Sequence, residues 1–517
     1  MVTATVCLAG GAPEWRSQAG SATVPGWRVC AREADGRALS SVWNEAAAGC
    51  GGEWIVFCSP DALPRPGAWN ELAAALEQCT AQTGAVEMRT LPHENPKFYH
   101  PLTLETRELD GTCFAVRRAA FETAGGFPEG DPDPAAALSR ALREQGFRIL
   151  IAPRAVAVTQ SEPPLRAGFQ RANAPVCADA ASGVHFTVLI RAYRRTDTLD
   201  RALTCLEHQT HRDFDVVVAE DGENPVCADV VHAHEKTLAL TYLPLGRAAG
   251  RSAAANAAMT EAKGPWLVFL DDDDYFFADH LEALAQTVRA NPDCSMAACA
   301  AVEAAASADT MEYAENMLEN RVLKEFSMAR QCMDNAFAIQ SVAFRRELFE
   351  QMGGMDEALD ALEDWDLWTR YLTRAKIALC GKATSLYHTP QDFCDRMDRV
   401  ARMDEWKTRL LDKWRGYRFE VSAEEILAAS WTPQREACEN AKRIYVTRQR
   451  VDALQRSRRR YATRALRGML NGAARALVHI AGPEDLDLNK ADGRSLLEQE
   501  QAIENSLILR RKNRKCH

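Results

Sequence analysis

The chain has 517 residues, enough for two to four domains, with 47% hydrophobic and 26% charged residues. That balance is the one of ordinary globular chains and excludes a mostly disordered, collagen-like or coiled-coil protein. Net charge is −10, which argues against a general nucleic-acid coat. No stretch reaches the roughly 20 apolar residues that cross a bilayer, and the first residues lack a basic segment followed by an apolar core. Sixteen cysteines are scattered without a CxxC pair, the pattern of small buried thiols in a reducing compartment. A cytoplasmic protein is expected.

From residue 185 the chain alternates strand and helix patterns. His185 to Ile190 is a short apolar run, and Asp197 to Gln209 carries helical spacing through Leu199, Ala202, Leu203 and Leu206. Strands are predicted at Phe214 to Val218, Leu238 to Leu243 and Trp266 to Leu270, with a helix over Ala253 to Ala262. Alternation of this kind means a mostly parallel sheet covered on both faces, with ligands bound beyond the carboxyl ends of its strands. Polar clusters stand at those ends: Arg191 to Arg195, Glu220 to Gly222, and Asp271 to Asp274.

The N-terminal part repeats this pattern. NEAAAGCGGEWIVFCSPD at 44–61 aligns without gaps on NAAMTEAKGPWLVFLDDD at 256–273. Further on, Phe114 to Arg118 and Gly125-Gly126 match Val342 to Arg346 and Gly353-Gly354. Packing residues persist between the copies, and acids do not. Ser59 and Pro60 take the places of Asp271 and Asp272, Asp133-Pro134 stands near the place of Glu363-Asp364, and Gln160 stands opposite His388. Residues 1–180 are therefore expected to be a folded, inactive copy of a catalytic domain at 181–400. Recurrence of Arg117-Arg118 as Arg345-Arg346 argues for a packing role. Residues 401–517 read as a helical extension, with helices at Arg399 to Trp414 and Glu424 to Ser430. Its segment 442–467 holds ten basic residues against one acid, Asp452. A solvated helix or peripheral contact with anionic lipid fits that charge; nucleic acid does so least, as no such module is visible.

Four consecutive carboxylates after a buried strand raise one another's pKa unless a cation neutralises them. A hard divalent ion, Mg²⁺ or Mn²⁺, takes carboxylate and phosphate oxygens together, so the cluster points to a metal-held diphosphate. With Gly250 to Asn256, Phe186 to Tyr193, and Leu362 to Trp368, it resembles the family 2 glycosyltransferases of GT-A fold over about residues 184 to 390.

The resemblance implies two GT-A, Rossmann-like α/β domains in tandem and sugar transfer from a nucleotide-diphosphate donor to an acceptor hydroxyl, with inversion. It implies Tyr193, Asp221, Arg251, Asn256, Asp271 and Asp272 at the donor, with Asp271, Asp273 and His388 on the metal. In Glu363-Asp364 it implies Asp364 as general base. Placed at a helix N-terminus, Asp364 is expected to be ionised. The acceptor would be a saccharide, a lipid-linked glycan or a protein, as in surface polysaccharide assembly, and peripheral contact with the inner membrane face would run through residues 442–467. The chain departs from the family at Arg191 to Arg194, where Pro-Thr-Tyr-Asn is usual, and at Ala255, where Arg is usual. A non-catalytic carbohydrate- or nucleotide-binding scaffold of two decayed domains is the competing expectation.

Overall fold

The computed structural model describes residues 2–9, 24–33, 35–159, 161–162, 164–174, 183–306, 318–323, 325–390 and 393–429. The basic segment 442–467 and Gln160 lie outside the described residues.

The first sheet is built from β1 (Ala4–Ala9), β2 (Arg28–Arg32), β3 (Trp54–Cys58), β4 (Ala62–Pro64), β5 (Thr83–Leu91), β6 (Glu105–Thr106), β7 (Cys113–Arg117) and β8 (Arg148–Thr159). Its order is β2-β1-β3-β7-β5-β8-β4, with β6 on β8. The second sheet comprises β9 (Phe186–Ala192), β10 (Phe214–Glu220), β11 (Leu240–Pro244), β12 (Trp266–Asp271), β13 (Tyr275–Phe276), β14 (Met296–Ala306), β15 (Leu318–Arg321), β16 (Val342–Arg345) and β17 (Ile377–Pro390). Its order is β11-β10-β9-β12-β16-β14-β17-β13, with β15 on β14.

Apart from β11, the central paths match strand for strand. β3 pairs parallel with β1 and antiparallel with β7, as β12 does with β9 and β16. The tandem α/β architecture implied by the repeat is thus present. β3 and β12 are buried nearly throughout, because helices cover both faces.

Repeated residues make the same contacts twice. Trp54 pairs with Arg117 and Trp266 with Arg345, each guanidinium lying over its partner's ring at 4.5 and 4.9 Å. The following arginines donate to backbone carbonyls: Arg118 to Gly52 at 2.7 Å and Arg346 to Ala262 at 3.1 Å. The doubled arginines are therefore structural, as expected.

The predicted elements of the second domain appear within two residues of their expected ends. Its helices include Thr196–Glu207, Arg251–Glu261, His280–Ala290 and Glu363–Tyr371. The extension begins with a longer helix than predicted, Phe393–Trp414, and residues 423–429 are helical. Trp414 packs edge-on to Trp365 at 5.7 Å. Among the described residues the cysteines are free thiols, and no helix is long and apolar enough to cross a membrane.

Candidate active site

The carboxyl ends of β9, β10 and β12 open on a cavity of about 570 Å³, lined among others by Tyr193, Arg194, Asp221, Arg251, Asp271, Asp272 and Asp360. Arg191 organises it. The pairing of β9 with β12 sets Arg191 beside Asp271. Its guanidinium grips both oxygens of Asp271, at 2.8 and 2.6 Å, and reaches Glu363 at 2.7 Å. Burial works to raise the Asp271 pKa, yet Arg191 holds the carboxyl below its ordinary value. One buried side chain thereby joins the acidic strand end to the helix that carries Glu363 and Asp364.

The remaining acids are settled by other means. Arg195 pairs with Asp272 and, at 2.6 Å, with Asp273. Asp272 is fully buried, and burial pushes its carboxyl up to about 7 against the pull of Arg195. Asp274 is also buried, accepts the His388 backbone N–H at 3.2 Å, and is pushed up to about 7 by burial. His388 directs Nδ1 at the carbonyl oxygen of Asp273, 2.7 Å away.

Asp271, Asp273 and His388 consequently do not converge as a ligand set. Among the described residues, no group of three or more His, Cys, Asp or Glu side chains is placed to hold a metal ion. In this arrangement Arg191 and Arg195 compensate three of the four acids, and burial pushes Asp272 and Asp274 toward the neutral form. Asp271 and Asp273 still offer the carboxylate oxygens that Mg²⁺ or Mn²⁺ takes, and such an ion would displace Arg191 and Arg195 from them. Arg191, Arg194, Arg195 and Asp360 were missed as site residues. A signal existed in the run Arg191 to Arg195, since clustered acids on a neighbouring strand demand cations.

Tyr193 is 53% exposed at the cavity mouth. Its ring lies beside Gly222, where an added Cβ would sit 3.6 Å from it. Asp221 lines the cavity, but its oxygens accept the backbone N–H groups of Ala249 (2.6 Å) and Gly250 (3.0 Å), which anchors the loop ahead of Arg251. Glu220 points inward and accepts from Val226, Cys227 and Tyr242. Arg251 opens its helix half-exposed, 3.7 Å from Glu363.

Asn256 is not a lining residue. Its amide donates to the Met355 carbonyl at 2.9 Å and accepts the Met355 N–H at 2.7 Å. Asn44 clasps Phe127 in the same way in the first domain, at 2.8 and 2.9 Å. Asn256 also donates to Glu357 at 3.0 Å, so its amide is engaged within the fold rather than turned to the cavity.

The helix Glu363–Tyr371 starts after Leu362, held in the left-handed region at φ 62°. That start turns Glu363 toward Arg191 and Asp364 toward Asn335, whose Nδ2 donates to it at 2.9 Å. Burial first, then Glu363, push the Asp364 carboxyl up to about 7. The helix dipole expected to keep it ionised is outweighed. Trp365 and Trp368 are both buried in cores, Trp368 against Phe269 and Phe344.

Comparison with known proteins covers the part of this span before Glu363. The family model "Glycosyl transferase family 2" matches residues 187–353. An uncharacterized glycosyltransferase of Haemophilus influenzae is 24% identical over 257 residues, 47% of this chain and 83% of that protein. Validoxylamine A glucosyltransferase of Streptomyces hygroscopicus subsp. jinggangensis is 39% identical over 88 residues, of which the chain spans 21% of the length. Among solved structures, the mannosyltransferase PcManGT of Pyrobaculum calidifontis, in complex with GDP-Man and Mn²⁺, aligns with a TM-score of 0.38 and 20% identity, covering 58% of this chain and 83% of that one.

Proposed function

We propose, from the premise that the chain carries a family 2 glycosyltransferase domain at residues 187–353, that this cavity binds a nucleotide-diphosphate sugar and passes the sugar to an acceptor hydroxyl with inversion. The observation that carries the reading is Arg191 spanning Asp271 and Glu363, which sets the acidic strand end and the base-bearing helix on one cavity.

Tyr193 offers the nucleoside a ring to pack on, beside a glycine that leaves room. Arg194 and Arg251 face the cavity as diphosphate partners, bidentate donors well matched to phosphate oxygens. Asp364 removes the acceptor proton. A carboxyl near 7 suits that task, since it is substantially ionised at neutral pH yet basic enough to take a proton. Attack from the Asp364 side on a donor held at the strand ends is in line, so the anomeric configuration inverts. The acceptor is a saccharide, lipid-linked glycan or protein. Asp271, Asp273 and His388 would hold Mg²⁺ or Mn²⁺, which, when bound, supplies positive charge to the departing diphosphate.

Hydrolysis of nucleotide sugars and calorimetric titration with UDP and GDP, each with and without Mn²⁺, test this on the wild type and Asp364→Asn. The expected result is nucleotide binding by both proteins, with turnover lower by about 10²–10⁴-fold in the variant, the usual worth of a general base. A wild-type chain that binds neither nucleotide under either condition would be the scaffold, and the proposal would fall.

A further inference from the structure

We infer that the first domain acts on the second domain's site by clamping the trailing end of the acidic loop, through Tyr99 and Arg171. The functional meaning rests on the glycosyl-transfer reading, although the clamp itself does not.

The loop leaves the cavity at Asp271 and closes with the Asp274 N–H donating to the Asp271 carbonyl at 3.1 Å. It then crosses β13 and runs to Asp279, where the helix His280–Ala290 begins. Anchors within the second domain are the Phe277 N–H on the Thr384 carbonyl (2.9 Å) and the Thr210 N–H on the Ala278 carbonyl (2.8 Å). Gln209 also donates to the Phe277 carbonyl at 2.9 Å, and the first domain adds its own contacts. The Ala278 N–H donates to the Tyr99 hydroxyl at 3.0 Å, and that hydroxyl lies 3.4 Å from Asp279 Oδ1. The Phe277 ring packs edge-on to Tyr99 at 5.3 Å, with the Arg171 guanidinium over it at 4.3 Å.

Asp279 itself supplies an independent sign. It precedes a helix, where an Asp side chain ordinarily accepts an N–H of the first turn. Here it makes no such bond. Its oxygens instead meet Lys382 (2.5 Å), Arg171 (3.6 Å) and Tyr99. In the first domain the residue before the matching helix, Ala68–Glu77, is Gly67. The charge at 279 is therefore shared between Lys382 of its own domain and Arg171 and Tyr99 of the first domain, and it is absent from the copy. Around it, Arg89 pairs with Glu94 and Glu282, and Lys382 with Glu94. Three cations and three anions are all largely buried there.

Amide hydrogen exchange on the full chain reads the clamp, and UDP or GDP titration reads its consequence. Tyr99→Phe removes one hydroxyl and keeps the ring. Asn44→Ala serves as the control, loosening the first domain away from this contact. Expected for Tyr99→Phe is at least about tenfold faster exchange across 271–279 and nucleotide affinity weaker by about 3–30-fold, the range of coupling through a packed network. Asn44→Ala should lower the melting temperature and leave both readouts in place. Unchanged loop exchange in Tyr99→Phe, or an equal change in Asn44→Ala, overturns the clamp. Faster loop exchange in a chain whose wild type binds neither nucleotide would uphold the clamp and remove the glycosyl-transfer reading alone.

Discussion

Asp364 shows how a single residue's surroundings decide its chemistry. At a helix start it ought to be acidic, yet burial and Glu363 raise it to about 7. If it is the base, kcat/KM rises with pH through about 7 and levels off once the carboxylate is formed. Asn335 donates to the ionised form, so Asn335→Ala should move that midpoint upward, as read from the pH–rate profile. Arg191 is the other decisive residue. Arg191→Met leaves Asp271 and Glu363 buried without their cation, and urea unfolding should show a loss of about 3–5 kcal/mol.

Among the elements, the clasp between a helix and the turn after the doubled arginines recurs in both domains. Asn256 binds both backbone groups of Met355 only because Gly354 comes close: a Cβ there would lie 2.1 Å from Asn256 Oδ1, and at Gly126 it would lie 2.8 Å from Asn44 Oδ1. Gly354→Ala should therefore destabilise by about 1–3 kcal/mol through overpacking. Asn256→Ala strands a buried N–H and C=O and should cost about 1–3 kcal/mol. With the packing role, nucleotide affinity stays unchanged in Asn256→Ala, as calorimetry would show; a donor contact would weaken it. The repeat signalled that these residues matter, since the same Asn and Gly recur in a copy without the acids.

For the whole molecule, pH links stability to the site. Asp272, Asp274 and Asp364 are each raised to about 7 in the folded state, from the ordinary carboxyl range. Folding favours their protonated form, so their contribution is fully present below about pH 4 and is lost as pH rises through about 7. Their contribution makes thermal midpoints fall between about pH 4 and 7 and level off above. The Asp272→Asn variant, which carries no titrating proton there, should show a smaller fall.

The alternation of strands and helices, the tandem repeat and the residues at the sheet's carboxyl edge were legible in the chain. Each depends on local periodicity and on motifs that stay contiguous, such as Trp266 to Asp271. The partners of those motifs were not legible. Arg191 and Glu363 are 172 positions apart and meet because the helix Glu363–Tyr371 begins beside the end of β9. The engagement of the acids by Arg191 and Arg195, the diversion of Asn256 to Met355, and the reach of Tyr99 into the other domain are likewise long-range pairings. Charge and hydrogen-bond balance at a buried site is a property of neighbours in space, so it emerged only when the chain was folded.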